Sequence, residues 1–558
     1  MAGGILDLIA VGGQDVILIG NPQKTFFKAK YSKYTNFGMQ KFRIDYNGLR
    51  TLRLDSETEL KFKIPKYADL LMDTYLVMNL PMIWSPIYPP QTNDDSWVGY
   101  EFQWIKNIGT QIIKEITITV GGQIIQQYSG SYIHNMVKRD YSESKKKLFN
   151  EMTGNVPELY DPSNVYDRQN IYPHSYYTDD VDGRFPSIES RKLYIPINTW
   201  FTQSSKLAFP LLSLYNNDLF INVKLRSIDE LFTIKDVSDS VNNYPRIAPN
   251  FTNPLMQFYR FLQTPPTNAL NDSDYQDKRV LWDADIHLYS TFCFLSEDEA
   301  ELFKSRDQQY LIKVIYEHEF NDIVGSKKIK LDSTGLVSNW MITFERSDIN
   351  LRNEWSNYTN WPYDYLPFNV VSGPQEGNFS YTNYNSSSIY QQYPIGFGPG
   401  INPDGSQTNI YITDIYNVQN EKNILQQLGI LFDGQYRENL IDARIYEYLE
   451  PFHKSHGSNL DGLYSYNFSL NSDPSDLQPS GAINLSIIKK IELECHTHTP
   501  ILNENAQVLT VCDENGNIIG INKPSWVIFN YTFTMRLYEE KYNILNFQGG
   551  NCKLLYSR

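Results

Sequence analysis

Residues 526–538 read Trp-Val-Ile-Phe-Asn-Tyr-Thr-Phe-Thr-Met-Arg-Leu-Tyr, and Val527, Phe529, Tyr531, Phe533, Met535 and Leu537 occupy alternate positions. A period of two sustained this long gives a β-strand one apolar face. Asn530, Thr532, Thr534 and Arg536 take the other face. The pattern recurs upstream. Leu219, Ile221, Val223 and Leu225 alternate with polar residues, as do Ile116, Ile118 and Val120, and Tyr464, Tyr466, Phe468 and Leu470. Gly121-Gly122 follows the run that ends at Val120 and suits the positive φ of a tight hairpin. Asn515-Gly516 plays the same part between Leu509–Cys512 and Ile518–Ile521. The 41 Tyr, 29 Phe and 9 Trp, set among 31 Gly and 28 Pro, fit many strands joined by many turns. Helix signals are few. Ser296-Glu297-Asp298-Glu299 reads as a capping box, placing Leu302 and Phe303 toward a sheet, and Tyr132–Lys147 holds a second helix. Neither belongs to a repeating βαβ unit, so the expected class is all-β: two large antiparallel units, closed as sandwiches or jelly rolls to protect their edges.

The 558 residues allow two such units, and 41% hydrophobic content allows each a core. With 49 Lys plus Arg against 64 Asp plus Glu, the net charge is −15, which disfavours direct contact with a nucleic-acid backbone. Four Cys exclude a disulfide scaffold and fit a reducing compartment. The apolar run Ile5–Ile19 is interrupted by Asp7, Gln14 and Asp15 and is too short to span a bilayer. The chain therefore reads as soluble and cytosolic. Long loops are expected at 84–99, 151–190 and 352–407. The polar, Pro-containing segment 238–277 is expected to link the two units. No clear repeat relates the halves; the one weak echo joins Val223–Leu231 to Phe533–Tyr542.

Chemistry is sparse. No phosphate-binding glycine loop, nucleophile elbow or zinc-protease helix occurs. Glu492, Glu494, His496 and His498 share strand parity and could face a divalent ion, but no distant partner is evident, and a solvated polar face is the preferred reading. His453 and His456, in a Ser/Gly loop, are read the same way. Cys293, Cys495, Cys512 and Cys552 lack zinc spacing. No catalytic, cofactor or metal residue is assigned. The residues alone leave a carbohydrate-binding or carbohydrate-active sandwich open, with Trp355 and Trp361 as a stacking platform.

Ordered blocks along the chain carry a resemblance. They are Gly13-Gln14-Asp15, Gly20-Asn21-Pro22-Gln23-Lys24-Thr25-Phe26-Phe27-Lys28, Gly121-Gly122-Gln123, and Leu207-Ala208-Phe209-Pro210-Leu211. Further on come Phe294–Glu299, Asp461-Gly462-Leu463-Tyr464-Ser465-Tyr466, Gln478-Pro479-Ser480-Gly481 and Tyr542-Asn543-Ile544-Leu545. Together these resemble the major capsid proteins of nucleocytoplasmic large DNA viruses, the giant icosahedral viruses of algae and amoebae. The resemblance implies a double jelly roll: an N-terminal arm at 1–24, a first roll at 25–237, a linker at 238–277, and a second roll at 278–558 with the long loop 352–407. It implies a structural virion protein, not an enzyme, without cofactors. Its partners would be itself as a pseudo-hexagonal homotrimer, neighbouring capsomers, and minor capsid and penton proteins. It would lie near an inner viral membrane, touch no nucleic acid, and be assembled in host cytoplasm. On that reading Ile5, Ile9 and Ile17 are contact residues toward minor proteins or neighbouring capsomers; a simple strand or disordered arm is the alternative. Trp355, Tyr358, Trp361, Tyr363 and Tyr365 are expected in an outer trimer cap, or in a loop folded on its own roll. Asn21, Pro22, Gly121, Gly122, Pro479 and Gly481 read as turns that determine the fold.

Overall fold

The computed structural model describes the chain apart from residues 1–2, 47, 49–50, 89–96, 181–183, 241–243, 268–273, 276, 365–395, 402–406, 413–420, 475, 504–505, 507–508, 514–515, 523–526 and 557–558. Its main strands fall into two sets of eight. The first set is β1 (Phe37–Ile44), β2 (Thr58–Lys63), β3 (Leu70–Leu80), β4 (Ile113–Val120), β5 (Gln123–Tyr128), β6 (Arg191–Pro196), β7 (Leu219–Leu225) and β8 (His287–Leu295). The second is β9 (Gln308–Ile323), β10 (Ser326–Leu331), β11 (Leu336–Arg346), β12 (Leu425–Phe432), β13 (Gln435–Asp442), β14 (Leu463–Asn467), β15 (Ile491–Thr497) and β16 (Phe533–Gln548).

Each set makes two antiparallel sheets. In the first, β1-β8-β3-β6 faces β2-β7-β4-β5; in the second, β9-β16-β11-β14 faces β10-β15-β12-β13. Adding eight to each strand number of the first roll gives the second, so the two share one topology, that of a jelly roll. The chain is a double jelly roll. Alternation explains the walls: β7 and β15 each bury every second residue along their length. Two apolar clusters result. One fills the first roll and runs on into Ile312, Ile315, Met341 and Tyr538 of the second; the other fills the second roll around Trp340, Phe344, Leu428, Leu493 and Phe533.

Several expectations need correction. The linker read at 238–277 is packed, not free: Met256, Phe258 and Phe261 sit in the first core on short 3-10 turns, whose irregular spacing hid them. Beyond it, β8 runs between β1 and β3, so a boundary at 277/278 falls before the strand that closes the first roll. The echo between Val223–Leu231 and Phe533–Tyr542 joins strands that do not correspond, since the counterpart of β7 is β15. The strand read from Trp526 starts at Phe533 and runs to Gln548; Val527 and Ile528 are exposed, and Trp526 lies outside the described residues. The helix expected within Tyr132–Lys147 is two helices, α3 (Gly130–Asp140) and α4 (Glu143–Thr153). Helix α5 (Glu297–Ser305) forms where expected, but the Ser296 side chain accepts no capping bond and Leu302 is exposed, leaving Phe303 to pack inward. Among the described residues no helix is long and apolar enough to cross a membrane.

Candidate assembly surfaces and the joint between the rolls

The rolls are locked together by α3. Nine of its eleven residues are buried, a count that a helix covering a single sheet would not reach. At its start, Ser129 accepts a bond from the Tyr132 amide at 3.2 Å and donates its own amide to Glu317 Oε1 of β9 at 2.7 Å. Gly130 is required by close approach: a Cβ there would lie 1.9 Å from the Thr110 carbonyl oxygen. At the other end, the Gly457 and Ser458 amides donate to the Arg139 and Lys138 carbonyls at 2.8 and 3.0 Å, satisfying the helix C-terminus from the second roll.

The centre of the joint is polar. Arg139, fully buried, donates from Nε and Nη2 to Asp140 at 2.9 and 2.6 Å, from Nη2 to Glu540 Oε1 at 2.8 Å, and from Nη1 to Asn339 Oδ1 at 2.9 Å. Glu540, on β16, also accepts from Tyr132 Oη at 3.0 Å and Asn339 Nδ2 at 3.0 Å, with Lys313 Nζ 3.7 Å away. Ser472 donates to Asp140 at 2.7 Å. Two cations meet two anions, so the cluster is neutral and almost fully bonded, the condition under which buried charge is tolerated. Desolvation would raise the Glu540 carboxyl, but the charges of Arg139 and Lys313 overcome it and hold it below its ordinary value. Desolvation dominates at Asp140 and pushes it up. Beside this cluster, Glu539 accepts from Trp340 Nε1 at 2.9 Å, Ser333 Oγ at 2.9 Å and Lys541 Nζ at 2.8 Å. Sequence reading missed the joint. The one signal was the run Glu539-Glu540-Lys541, where an alternating strand has no solvent face because both sides are covered.

The described residues among the expected cap set make contacts within the chain. Trp355 donates from Nε1 to the Glu230 carbonyl at 2.9 Å, and the Arg226 guanidinium lies 4.1 Å from its ring centre. Tyr358 is 2% exposed and sits 6.5 Å from the His134 ring of α3. Tyr363 donates to the Arg246 carbonyl at 2.7 Å, and Lys422 lies 5.5 Å from the Trp361 ring. Segment 352–364 packs within the chain: Trp355 and Tyr358 reach the first roll and Tyr363 the Arg246 carbonyl, while the second roll holds Trp361 through Lys422 and the Asn360 amide through the Lys422 carbonyl at 2.8 Å. Tyr365 lies outside the described residues. With Arg226 on the Trp355 face, Trp355 and Trp361 make no open platform for a sugar.

The arm is the opposite case. Ile5, Ile9 and Ile17 are 43, 65 and 84% exposed, on two short helices, α1 (Gly4–Ile9) and α2 (Val16–Ile19), rather than a strand. Phe26, Phe27, Tyr31 and Tyr34 are exposed as well, and the first sheet strand starts only at Phe37. This run of apolar residues is left uncovered by the two rolls. Of the turn residues, Asn21 before Pro22 is left-handed at φ 52°, Gly121 and Gly122 have φ 57° and 82° in the β4–β5 hairpin, and Gly481, after Pro479, has φ 138°. Glu492, Glu494 and His496 lie on the solvent side of β15, where Lys490, Tyr436 and Ser326 partner them; His498 is buried past its end. Among the described residues no three potential ligands gather as a metal site.

Comparison with known proteins gives consistent matches. A family model described as the major capsid protein N-terminus matches residues 25–261, and one described as the large eukaryotic DNA virus major capsid protein matches residues 299–552. "Probable capsid protein 4" of Acanthamoeba polyphaga mimivirus is 25% identical over 88% of this chain and 92% of its own. The "Major capsid protein" of Phaeocystis pouchetii virus is 24% identical over the full length of both. Among solved structures, PBCV-1 VP54 aligns over 96% of this chain and 100% of its own, with a TM-score of 0.58 and 16% identity. The Faustovirus major capsid protein aligns over 94% of this chain and 92% of its own, with a TM-score of 0.59 and 12% identity; at such identities the two structures speak to the fold alone.

Proposed function

The chain belongs to the major capsid protein family of large eukaryotic DNA viruses, a structural and not an enzymatic family, and from that premise we propose that this virion capsid protein works as a cyclic homotrimer. The observation that carries this reading is the doubled roll. Two units of one topology, fixed to each other by α3 and its buried ion cluster, make a rigid two-sixths of a pseudo-hexagonal ring, and three copies complete six. Rigidity matters because a closed ring fixes the angle between successive units.

The bare N-terminal arm supports a second part of the reading. Ile5, Ile9 and Ile17, with Leu8, Val16 and Leu18 beside them, offer apolar surface that the rolls do not use. We assign this arm to contacts with minor capsid proteins or adjacent capsomers, on the side facing an inner membrane, with assembly in host cytoplasm. Net charge of −15 agrees with a shell that does not bind the genome directly.

The test is the native mass of the purified full-length chain by light scattering during size exclusion. Three copies of 64.9 kDa would give a single species at about 195 kDa. A folded monomer at concentrations well above micromolar would overturn the trimer.

A further inference from the structure

The shared topology allows one roll's surroundings to be compared with the other's. In the first roll, β5 leads after Ser129 alone into α3, which the second roll buries almost completely. In the second, the counterpart strand β13 leads at the same point into a π-helical turn, Ile445–Leu449, continued by α6 (Glu450–Lys454). Only Tyr446, Glu447 and Pro451 of these ten residues are buried. Tyr448, Leu449 and Phe452 are 43, 53 and 82% exposed, the apolar burial that α3 enjoys being absent here. Strand β13 itself exposes Tyr436, whereas its counterpart β5 lies against β9.

The receiving face shows the same inequality. Within the chain, α3 rests on the outer face of β9 and β16, where Glu317, Tyr538 and Glu540 meet Ser129 and Tyr132. The counterparts are β1 and β8. On β1, Phe42 and Ile44 point to the core, which leaves Phe37, Met39, Lys41 and Arg43 on the outer face. Register sets Met39 opposite Cys293 and Arg43 opposite Tyr289 of β8. Phe37, Met39 and Tyr289 are 50, 59 and 36% exposed. Phe303 of α5 covers this face only over Cys293 and Leu295 and leaves the row along β1 bare, so one helix lacks a sheet and one sheet keeps an uncovered strip, at corresponding places in the two rolls.

We infer that helix Ile445–Lys454 of one copy docks on the outer face of β1 and β8 of a second copy, repeating between chains the contact that α3 makes with β9 and β16 within one. The inference rests on the cyclic oligomer proposed above and names the two surfaces that close it. The contact is heterologous: each copy gives a helix on one side and receives one on the other, so no surface is left over when the ring closes. Tyr448 and Phe452 are the anchors, since large rings carry most of the energy in such contacts. Lys41, 5.9 Å from the Tyr289 ring, sets a cation beside the apolar row, ready for a second ring.

The experiment uses the full-length chain with Cys512→Ser, which removes the exposed native thiol, and adds Met39→Cys and Phe452→Cys together or singly. A short bis-maleimide should join the double variant into covalent dimers and trimers on a denaturing gel and leave each single variant unjoined. In parallel, Phe452→Asp should raise the trimer dissociation constant at least about tenfold, with an unchanged unfolding midpoint for the isolated chain, because the side chain is almost wholly outside the fold. A wild type of trimer mass whose Met39→Cys/Phe452→Cys double variant gives no cross-link, or a Phe452→Asp trimer of unchanged affinity, would overturn this inference and leave the trimer standing. A monomeric wild type would overturn both.

Discussion

Arg139 donates from three nitrogens into two carboxylates and an amide, and these partners are as buried as it is. Its value lies in what it prevents. Arg139→Met should cost about 3–5 kcal/mol in a denaturant titration, because Asp140 and Glu540 would stay in the joint without their cation. The same cluster gives a pH dependence with a definite sign. Glu540 is held below its ordinary value in the folded chain, so it binds a proton less readily folded than unfolded. Its contribution to stability is complete above about pH 4.5 and is lost as the pH falls through the lowered value. Thermal midpoints measured from about pH 6 down to pH 3 should therefore drop more steeply for the wild type than for Glu540→Gln; parallel curves would remove Glu540 as a source of the acid sensitivity. None of this was legible from single residues. An arginine and a glutamate 401 positions apart carry no sign in sequence that they will meet. The aromatic residues misled for a related reason: Trp355 and Tyr358 sit in a polar loop, where bulky rings suggest an outside partner, and the partner proved to be the chain's own first roll.

Elements were far easier to read. Period-two runs located β4 and β7, and Gly121-Gly122 located the hairpin between β4 and β5, because one-sided burial leaves its mark residue by residue. The reading weakened wherever burial became two-sided, as in the second half of β16, or irregular, as in Met256–Phe261. The correspondence of the two rolls escaped entirely. It resides in strand order and pairing, and corresponding strands such as β7 and β15 share only their alternation. The elements also differ in how much change they tolerate. Gly122→Ala alters an open hairpin position of positive φ and should cost about 1 kcal/mol. Gly130→Ala drives a methyl group into the Thr110 backbone at the start of α3, and Gly457→Ala drives one into the Lys138 carbonyl at its end. Both should cost more than about 3 kcal/mol and loosen the two rolls, which limited proteolysis would report as two fragments where the wild type resists. Equal midpoints for Gly122→Ala and Gly130→Ala would show that α3 does not hold the joint.

For the whole molecule, stability and assembly should come apart. Among the described residues no side chain before Ile44 is buried, so deleting residues 1–24 should move the unfolding midpoint by no more than about 1 °C. The truncated chain should keep the mass of the wild-type oligomer and fail to associate further, as sedimentation would show. A large loss of thermal stability would mean that the arm belongs to the rolls. Sequence resemblance carried the molecular role, and the alternating strands carried the class of fold; the relation of one roll to the other required coordinates. The order of strands has a last consequence, in time rather than space. In each roll the strand made last, β8 or β16, enters the middle of its sheet, between β1 and β3 or between β9 and β11. A nascent chain leaving the ribosome therefore cannot close its first roll before residue 295, nor its second before residue 548. A polypeptide released early has an open sheet in place of a wall, and no finished ring surface to offer. Only a chain extended through residue 548 then carries both walls complete.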